Sequence, residues 1–424
     1  MSTPTLQTPP IEPSEATPAP RRRRLPLWFW PAGFLAAVFV LAVLRVVTGA
    51  DDIASSGVIG AAIALAVPIA LAGLGGLWSE RAGVVNIGLE GMMILGTWGA
   101  GFFGYYMGPW AGIVGGMLCG IVGGLIHATA TVIFGVDHIV SGVALNITAL
   151  GIAKYLAARF FSDLPGGGPT QSPPLPSLPR VSVPGLSEQM ARLEAREIFY
   201  LSDLAGVIGG FTTGISVFTI IAVLLFIGTF FVLWRTAFGL RLRSCGESPV
   251  AAETLGVNVI RYKFIAVCTS GALAGMGGAF LALVAANLYR DGQTGGRGYI
   301  GLAAMIFGNW RPGGLAAGSL LFGYTDAARL RGGGETVHAL LLLVAVILLL
   351  VGAWQLKRNN RVQGYLSLAA ATGAALWYYT TDTVPTELTA ATPYITTLLV
   401  LAFASQRLRM PAADGQIYRK GEGH

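Results

Sequence analysis

Long apolar runs separated by short polar stretches make up most of the chain. Their hydrophobic positions follow neither the alternation of half-buried strands nor the narrow stripe of a soluble helix. A helix crosses a bilayer with about 20 apolar residues. Runs of that kind fall at 28–47, 57–77, 84–106, 110–134, 139–161, 215–234, 264–288, 313–330, 337–354, 363–380 and 388–405. A further apolar stretch, 299–310, is too short to cross at about 1.5 Å per residue and reads as a half-helix or part of a re-entrant hairpin. The pattern predicts an all-α, polytopic membrane protein with about 10–12 membrane segments.

The polar stretches divide the chain further. Residues 1–27 are rich in Pro, Thr and Ser and are expected to be a disordered tail. The membrane domain is expected over 28–405, interrupted by a Pro-rich loop at 162–203 and a basic loop at 235–263, with a polar tail at 406–424. Within the Pro-rich loop, residues 187–200 predict a short amphipathic helix, with Met190, Leu193 and Ile198 on one side and Glu188 and Arg192 four apart.

Charge then sets the topology. Charged residues are only 12% of the chain, against about 25% in soluble domains, and mean hydropathy is +0.64. The formal net charge of +7 does not point to nucleic acid. Basic residues collect at Arg21 to Arg24, Arg81, 235–263, Arg311, Lys357 to Arg361 and the tail. These positions fall on one side of the predicted spans, which places both termini in the cytoplasm. The three cysteines and four histidines are scattered and give no disulfide framework or metal-ligand spacing.

One stretch stands out, Trp78-Ser-Glu-Arg-Ala-Gly-Val-Val-Asn-Ile-Gly-Leu-Glu-Gly-Met-Met93. Asn86 and Glu90 sit here among apolar residues and recurrent glycines. A carboxylate in lipid is costly, so Glu90 must face protein or a wet cavity. An internal repeat supports that placement. Ala70-Leu-Ala-Gly-Leu-Gly-Gly76 matches Ala272-Leu-Ala-Gly-Met-Gly-Gly278, and Ile87-Gly-Leu89 matches Ile300-Gly-Leu302. The charge-based topology runs the two copies in opposite directions, an inverted repeat with a solute site expected at its interface. In the basic loop, Ser248 and Pro249 predict the start of a short helix over 250–255, which Gly256 ends.

Several of these stretches resemble the permease subunits of bacterial ABC importers for nucleosides, within the ribose and branched-chain amino-acid permease superfamily. The likeness is carried by 79–93, by Ile139-Val-Ser-Gly-Val-Ala-Leu-Asn146 and by Gly246-Glu-Ser-Pro-Val-Ala-Ala-Glu-Thr-Leu-Gly-Val-Asn258. It continues through 295–310, Pro393-Tyr394 and Pro411-Ala-Ala-Asp-Gly-Gln-Ile-Tyr418. The long N-terminal tail and the extended Pro-rich loop depart from the family pattern.

The resemblance implies a multi-pass subunit of the bacterial cytoplasmic membrane that imports nucleosides and carries no cofactor. It also implies three protein partners: an ABC ATPase subunit that uses the ATP, a second related permease, and an extracytoplasmic substrate-binding lipoprotein. The chain has no Gly-x-x-x-x-Gly-Lys-Ser/Thr phosphate loop of its own. Gly246, Glu247, Pro249, Ala252, Glu253 and Gly256 are the expected ATPase-coupling residues. Asn86, Glu90, Met92, Asn146, Phe307, Asn309 and Trp310 are the expected substrate path, with no catalytic or metal residues.

Structural roles stand beside these. Glu90 pairing with Arg81, Asn146 joining helices, and Trp98, Phe307 and Trp310 serving as interfacial anchors rather than stacking a base all fit the same residues. A sugar importer of the same architecture is the alternative reading. An ion-coupled transporter would rest on Glu90 and Asp326 alone, and a membrane enzyme would need convergent acid, His or metal groups that the chain does not show.

Overall fold

The computed structural model describes residue 26 and residues 28–389, 391–393, 395–398 and 408–421. The expectations for the N-terminal tail (residue 26 aside), for Arg21 to Arg24, for Tyr394, for Arg407 and for the last apolar run beyond 398 lie outside the described residues.

The described chain is all-α. Its helices are α1 (Phe29–Thr48), α2 (Ser56–Arg81), α3 (Leu89–Met107), α4 (Pro109–Ala128), α5 (His138–Phe161), α6 (Leu186–Glu194), α7 (Leu201–Thr212) and α8 (Val217–Arg235). They continue with α9 (Ala237–Glu247), α10 (Pro249–Thr254), α11 (Val259–Phe280), α12 (Arg297–Phe307), α13 (Pro312–Lys357), α14 (Arg361–Thr380) and α15 (Thr386–Thr389). Two-residue strands, Arg180–Val181 and Ile215–Ser216, pair across the Pro-rich loop. Seven of the described helices are long and apolar enough to cross a membrane, with the 46 residues of α13 counted once. That helix doubles back at Gly333, whose φ of 57° and ψ of −146° are not helical. Leu321 and Ile347 line one cavity of about 550 Å³, whereas a straight helix would set them about 39 Å apart. The two spans expected at 313–330 and 337–354 are therefore both present.

The core is a crossing of α2, α3, α4 and α11 held by glycine. A Cβ on Gly96 would run into Gly275, one on Gly275 into Gly116, and one on Gly120 into Gly271. Between helices in lipid the hydrophobic effect gives little, so close backbone approach through small residues supplies the packing. The Gly-rich 275–278 stretch is thus a packing surface. The two repeat copies lie against each other: Gly75 approaches Ser270 while Gly277 approaches the carbonyl of Pro68. The register is antiparallel, as an inverted repeat requires. The equivalent contacts Gly73–Gly301 and Gly96–Gly275 make Gly96, not Gly88, the counterpart of Gly301. The Ile-Gly-Leu match is out of step because the first copy has no helix before Leu89.

Two other boundaries differ from the sequence pattern. The run expected to be helical from 84 starts at Leu89, and residues 82–88 are irregular. The amphipathic helix of the Pro-rich loop ends at Glu194, since Glu197 and Tyr200 take positive φ. Ile198 therefore lies beyond it, while the Glu188–Arg192 pair forms at 3.9 Å.

Gly120→Val should separate α4 from α11. Overpacking of this kind costs about 1–3 kcal/mol or more, so the yield of monodisperse protein in detergent and its melting temperature should both fall. Gly151→Val, where nothing lies within 4 Å of the added Cβ, should leave both unchanged. Size-exclusion chromatography with a thermal ramp makes the comparison.

Candidate translocation site

Helix α2 runs towards the end of the bundle that bears the basic loops, called the basic end below. Irregular backbone at 82–88 then climbs back to α3. Non-helical backbone at this depth needs partners from the protein, and side chains from α4, α5 and α11 supply several. Lys263 donates to the carbonyl of Gly83 at 3.3 Å. His138 Nδ1 accepts from Val85 N–H at 3.3 Å, and His127 Nε2 lies 3.2 Å from the Val85 carbonyl. Asn146 accepts from Gly91 N–H at 2.7 Å and donates to the carbonyl of Ile87 at 3.0 Å and to the Tyr299 hydroxyl at 2.9 Å. Asn86, fully buried, donates to Ser270 Oγ at 2.8 Å.

The second break, 286–296, is held from the opposite end by the Pro-rich loop. Ser172 exchanges bonds with Tyr289, Leu175 N–H reaches the Asn287 carbonyl at 2.7 Å, and Asp291 N–H reaches Thr170 at 2.8 Å. Past this break, α12 begins level with the middle of α2: Gly301 lies against Ile69 and Gly73.

The two breaks meet at Glu90. Its carboxylate accepts Gly296 N–H at 2.9 Å and Gly298 N–H at 2.7 Å, satisfying the first turn of α12. A side chain at Gly298 would sit 2.6 Å from Glu90 Cα, so the residue must be small. Hydrogen bonds to a charged group are worth about 1.5–3 kcal/mol each, and the helix N-terminus adds to the attraction. Beside this junction lies a cavity of about 220 Å³ lined by Ile69, Ile300, Phe322, Arg297, Asp326 and Arg329. Asp326 accepts from Arg297 at 3.1 Å and from Arg329 at 2.7 Å. Arg297 Nε and Gln293 Nε2 are buried with no partner among the described residues. The sequence reading did not find Arg297 and Arg329, although Arg297 sits inside the 295–310 motif. Glu90 and Asp326 are both fully engaged, which leaves no free carboxylate here for an ion relay.

The expected path residues part company. Glu90 and Asn146 lie at the junction, and Asn86 supports the break beneath it. Met92 is core, fully buried against Gly123. Phe307 touches the cavity only through Phe322, at 6.2 Å between rings. Asn309 and Trp310 sit in a left-handed turn at the basic end. There Trp310 Nε1 donates to Glu80 at 2.6 Å, and its carbonyl accepts from Arg81 at 2.7 Å. Arg81 turns to Trp310 and to Glu247 at 3.8 Å rather than to Glu90. Trp98 stacks on Phe102 at 5.3 Å and belongs to a separate aromatic cluster.

At the basic end α9 and α10 form an elbow. Ser248 occupies the cap position of α10 without a side-chain capping bond. Gly256 ends the helix with φ of 81°, as its sequence position predicts. Leu255 is 83% exposed at the tip, while Ala252 is buried. The tail segment 408–421 packs behind this elbow. Ala413 N–H donates to the Gly246 carbonyl at 2.8 Å, and Arg409 N–H donates to Asn309 Oδ1 at 2.8 Å. Asp414 is buried beside Glu80, Lys263 and Arg81, and burial pushes its carboxyl up to about 7 against the pull of the two cations.

Irregular backbone meeting in mid-bundle beside a polar cavity is the architecture of a solute-conducting membrane subunit. Comparison with known proteins agrees. The chain belongs to the family described as the branched-chain amino acid transport system / permease component, whose model matches residues 58–352. It is similar to the guanosine ABC transporter permease protein NupQ of Bacillus subtilis, 34% identical over 284 residues that cover 65% of this chain and 82% of the relative. The nucleoside ABC transporter permease protein NupC of Lactococcus lactis is 35% identical over 274 residues, 63% of this chain and 80% of the relative. A putative glucose ABC transporter permease of Haloferax volcanii is 30% identical over 376 residues, 86% of this chain and 98% of the relative. No solved structure matches.

Two outcomes follow from this geometry. Glu90→Gln keeps the shape but loses the charge at the α12 N-terminus. Uptake should fall at least tenfold, read as initial rate at matched membrane levels. Asp414 titrates with the opposite sign to an ion-paired acid. Its ordinary value is 3.8 and its docked value about 7, so docking of the tail is favoured by the neutral form and weakens as pH rises from about 4 to 7. Hydrogen exchange across 411–418, corrected for its intrinsic pH dependence, should be about tenfold faster at pH 8 than at pH 6. Asp414→Asn should remove the difference.

Proposed function

We propose that this chain is the nucleoside-conducting permease subunit of an ATP-driven importer in the bacterial cytoplasmic membrane. The observation that carries the reading is the Glu90 junction with its adjoining cavity. Apolar walls at Ile69, Ile300 and Phe322 suit the flat face of a base, and the unpartnered Arg297 Nε suits its ring nitrogens and carbonyls. Ligand pockets for drug-sized molecules run to roughly 300–1,000 Å³, so the smaller cavity fits a station for a solute in passage rather than a tight store. The Bacillus and Lactococcus relatives, a guanosine and a nucleoside permease, support the substrate class.

The basic end faces the cytoplasm in this reading, by the bias of arginine and lysine, and the tail segment 408–421 lies there too. A separate ABC ATPase would use the ATP and seat the α9–α10 elbow, which presents Leu255 outward. A second related permease would complete the path, and an extracytoplasmic lipoprotein would deliver substrate over the Pro-rich loop. The chain itself would need no cofactor. A second reading, a simple sugar as substrate, is favoured by the long match to the Haloferax relative; a pocket without an aromatic requirement would serve it equally.

Proteoliposomes containing the assembled importer decide between them. Guanosine and uridine uptake should be saturable and ATP-dependent, with glucose not competing. Arg297→Gln should lower nucleoside uptake at least tenfold, the equivalent of about 1.4 kcal/mol or more. Glucose uptake with no nucleoside transport would overturn the nucleoside assignment, and uptake driven by an ion gradient without ATP would overturn the class.

A further inference from the structure

The tail motif Pro411-Ala-Ala-Asp-Gly-Gln-Ile-Tyr418 has no place in the solute path, yet it touches α9, α10, α11 and the first break at the basic end. Its Ala413 amide is bonded to the Gly246 carbonyl at the end of α9, and the Ala412 amide reaches Glu247 Oε2 at 3.4 Å. The Ala413 carbonyl lies 3.1 Å from where a Cβ on Gly83 would stand, and a Cβ on Gly246 would meet the Arg81 carbonyl. Three backbones therefore press together with no room for a side chain between them. Gly415 abuts Val85, whose N–H and carbonyl hold the first break. Tyr418 lies 5.9 Å beneath the Lys263 ammonium and engages Glu253 of α10. Arg409 holds Asn309, in the turn that follows α12.

We propose that residues 408–421 form a transmission strap that fastens the α9–α10 elbow to both broken helices, with Asp414 as its positioning residue. Helix α9 meets the start of residues 82–88 directly, through the close backbone contact of Gly246 with Arg81 and Gly83 and the Arg81–Glu247 pair, and the strap closes that contact from behind. With the strap seated, elbow, first break and the α12 turn move as one body. With it loose, the elbow swings without carrying the breaks. Asp414 sets the seating because it is buried among Glu80 and Arg81 of α2 and Lys263 of α11, and neither of its oxygens has a well-aligned donor among the described residues. This inference rests on the importer reading only for the identity of the motor that pushes the elbow.

The test is the number of substrate molecules moved per ATP hydrolysed by the complete importer in proteoliposomes. Asp414→Lys should keep substrate-stimulated hydrolysis within about twofold while uptake falls at least tenfold, so the ratio collapses. Ala413→Pro, which removes the amide bonded to Gly246 without altering charge, should do the same. A strap that only stabilises the fold predicts loss of uptake and hydrolysis together, or less folded protein at an unchanged ratio, and either result overturns the proposal. Should Asp414→Lys fail to assemble, Tyr418→Ala, which trims the strap's contacts with Lys263 and with the Cys245, Ala252 and Val259 cluster, provides the ratio instead. An unchanged ratio there also overturns it. If wild-type importer hydrolyses ATP but moves no nucleoside, the substrate reading fails, and the ratio is taken with the solute it does move.

Discussion

A carboxylate in the middle of an apolar bundle must be satisfied by protein, and Glu90 is satisfied by the amides of a helix that starts where no helix normally starts. That requirement organises the rest. The first turn of α12 favours an anion because the Gly296 and Gly298 amides turn to Glu90 rather than to a preceding carbonyl. Glu90 can provide one only because α3 also begins in mid-bundle. α3 begins there only because residues 82–88 are irregular, and they stay irregular because His127, His138, Asn146 and Lys263 take up their backbone groups. Removing any member leaves a polar group in a medium that offers no water, at about 1–3 kcal/mol each.

Glycine makes this network geometrically possible. The polar groups are short-range, so the helices bearing them must approach backbone to backbone. Gly298 at Glu90, Gly91 at Asn146 and Gly246 at Arg81 each mark a place where a side chain would break a contact the network uses. The same economy explains why so few charged residues suffice. Glu80, Arg81, Glu90, Arg297 and Asp326 all lie where two or more elements converge.

Much of this was legible in the sequence. The spans were, because lipid demands long apolar runs and little else in a chain satisfies that demand. Gly256 was legible as a helix terminator, and Glu90 as a residue out of place in its surroundings. The irregular segment 84–88 was not, because Val84, Val85 and Ile87 look like any other span; the groups that unwind it come from α4, α5 and α11. Asn309 and Trp310 look like part of the short helix because nothing local announces their left-handed backbone. Arg297, Asp326 and Arg329 come together only through the turn between α12 and α13. Asp414 was visible as part of a motif, but its burial depends on α2 and α11, far away in the sequence.

The paired contacts Gly73–Gly301 and Gly96–Gly275 carry a consequence for energetics. Each is the other's image under the repeat, and the two images face opposite ends of the bundle. A deformation that opens one end therefore breaks contacts of nearly the same kind as one that opens the other. Two access states built from matching interactions lie close in free energy, and a differential input of about 1.4 kcal/mol shifts their ratio tenfold. The near-symmetry of the chain thus keeps the transport cycle poised, so that a small bias applied at one end decides which side is open.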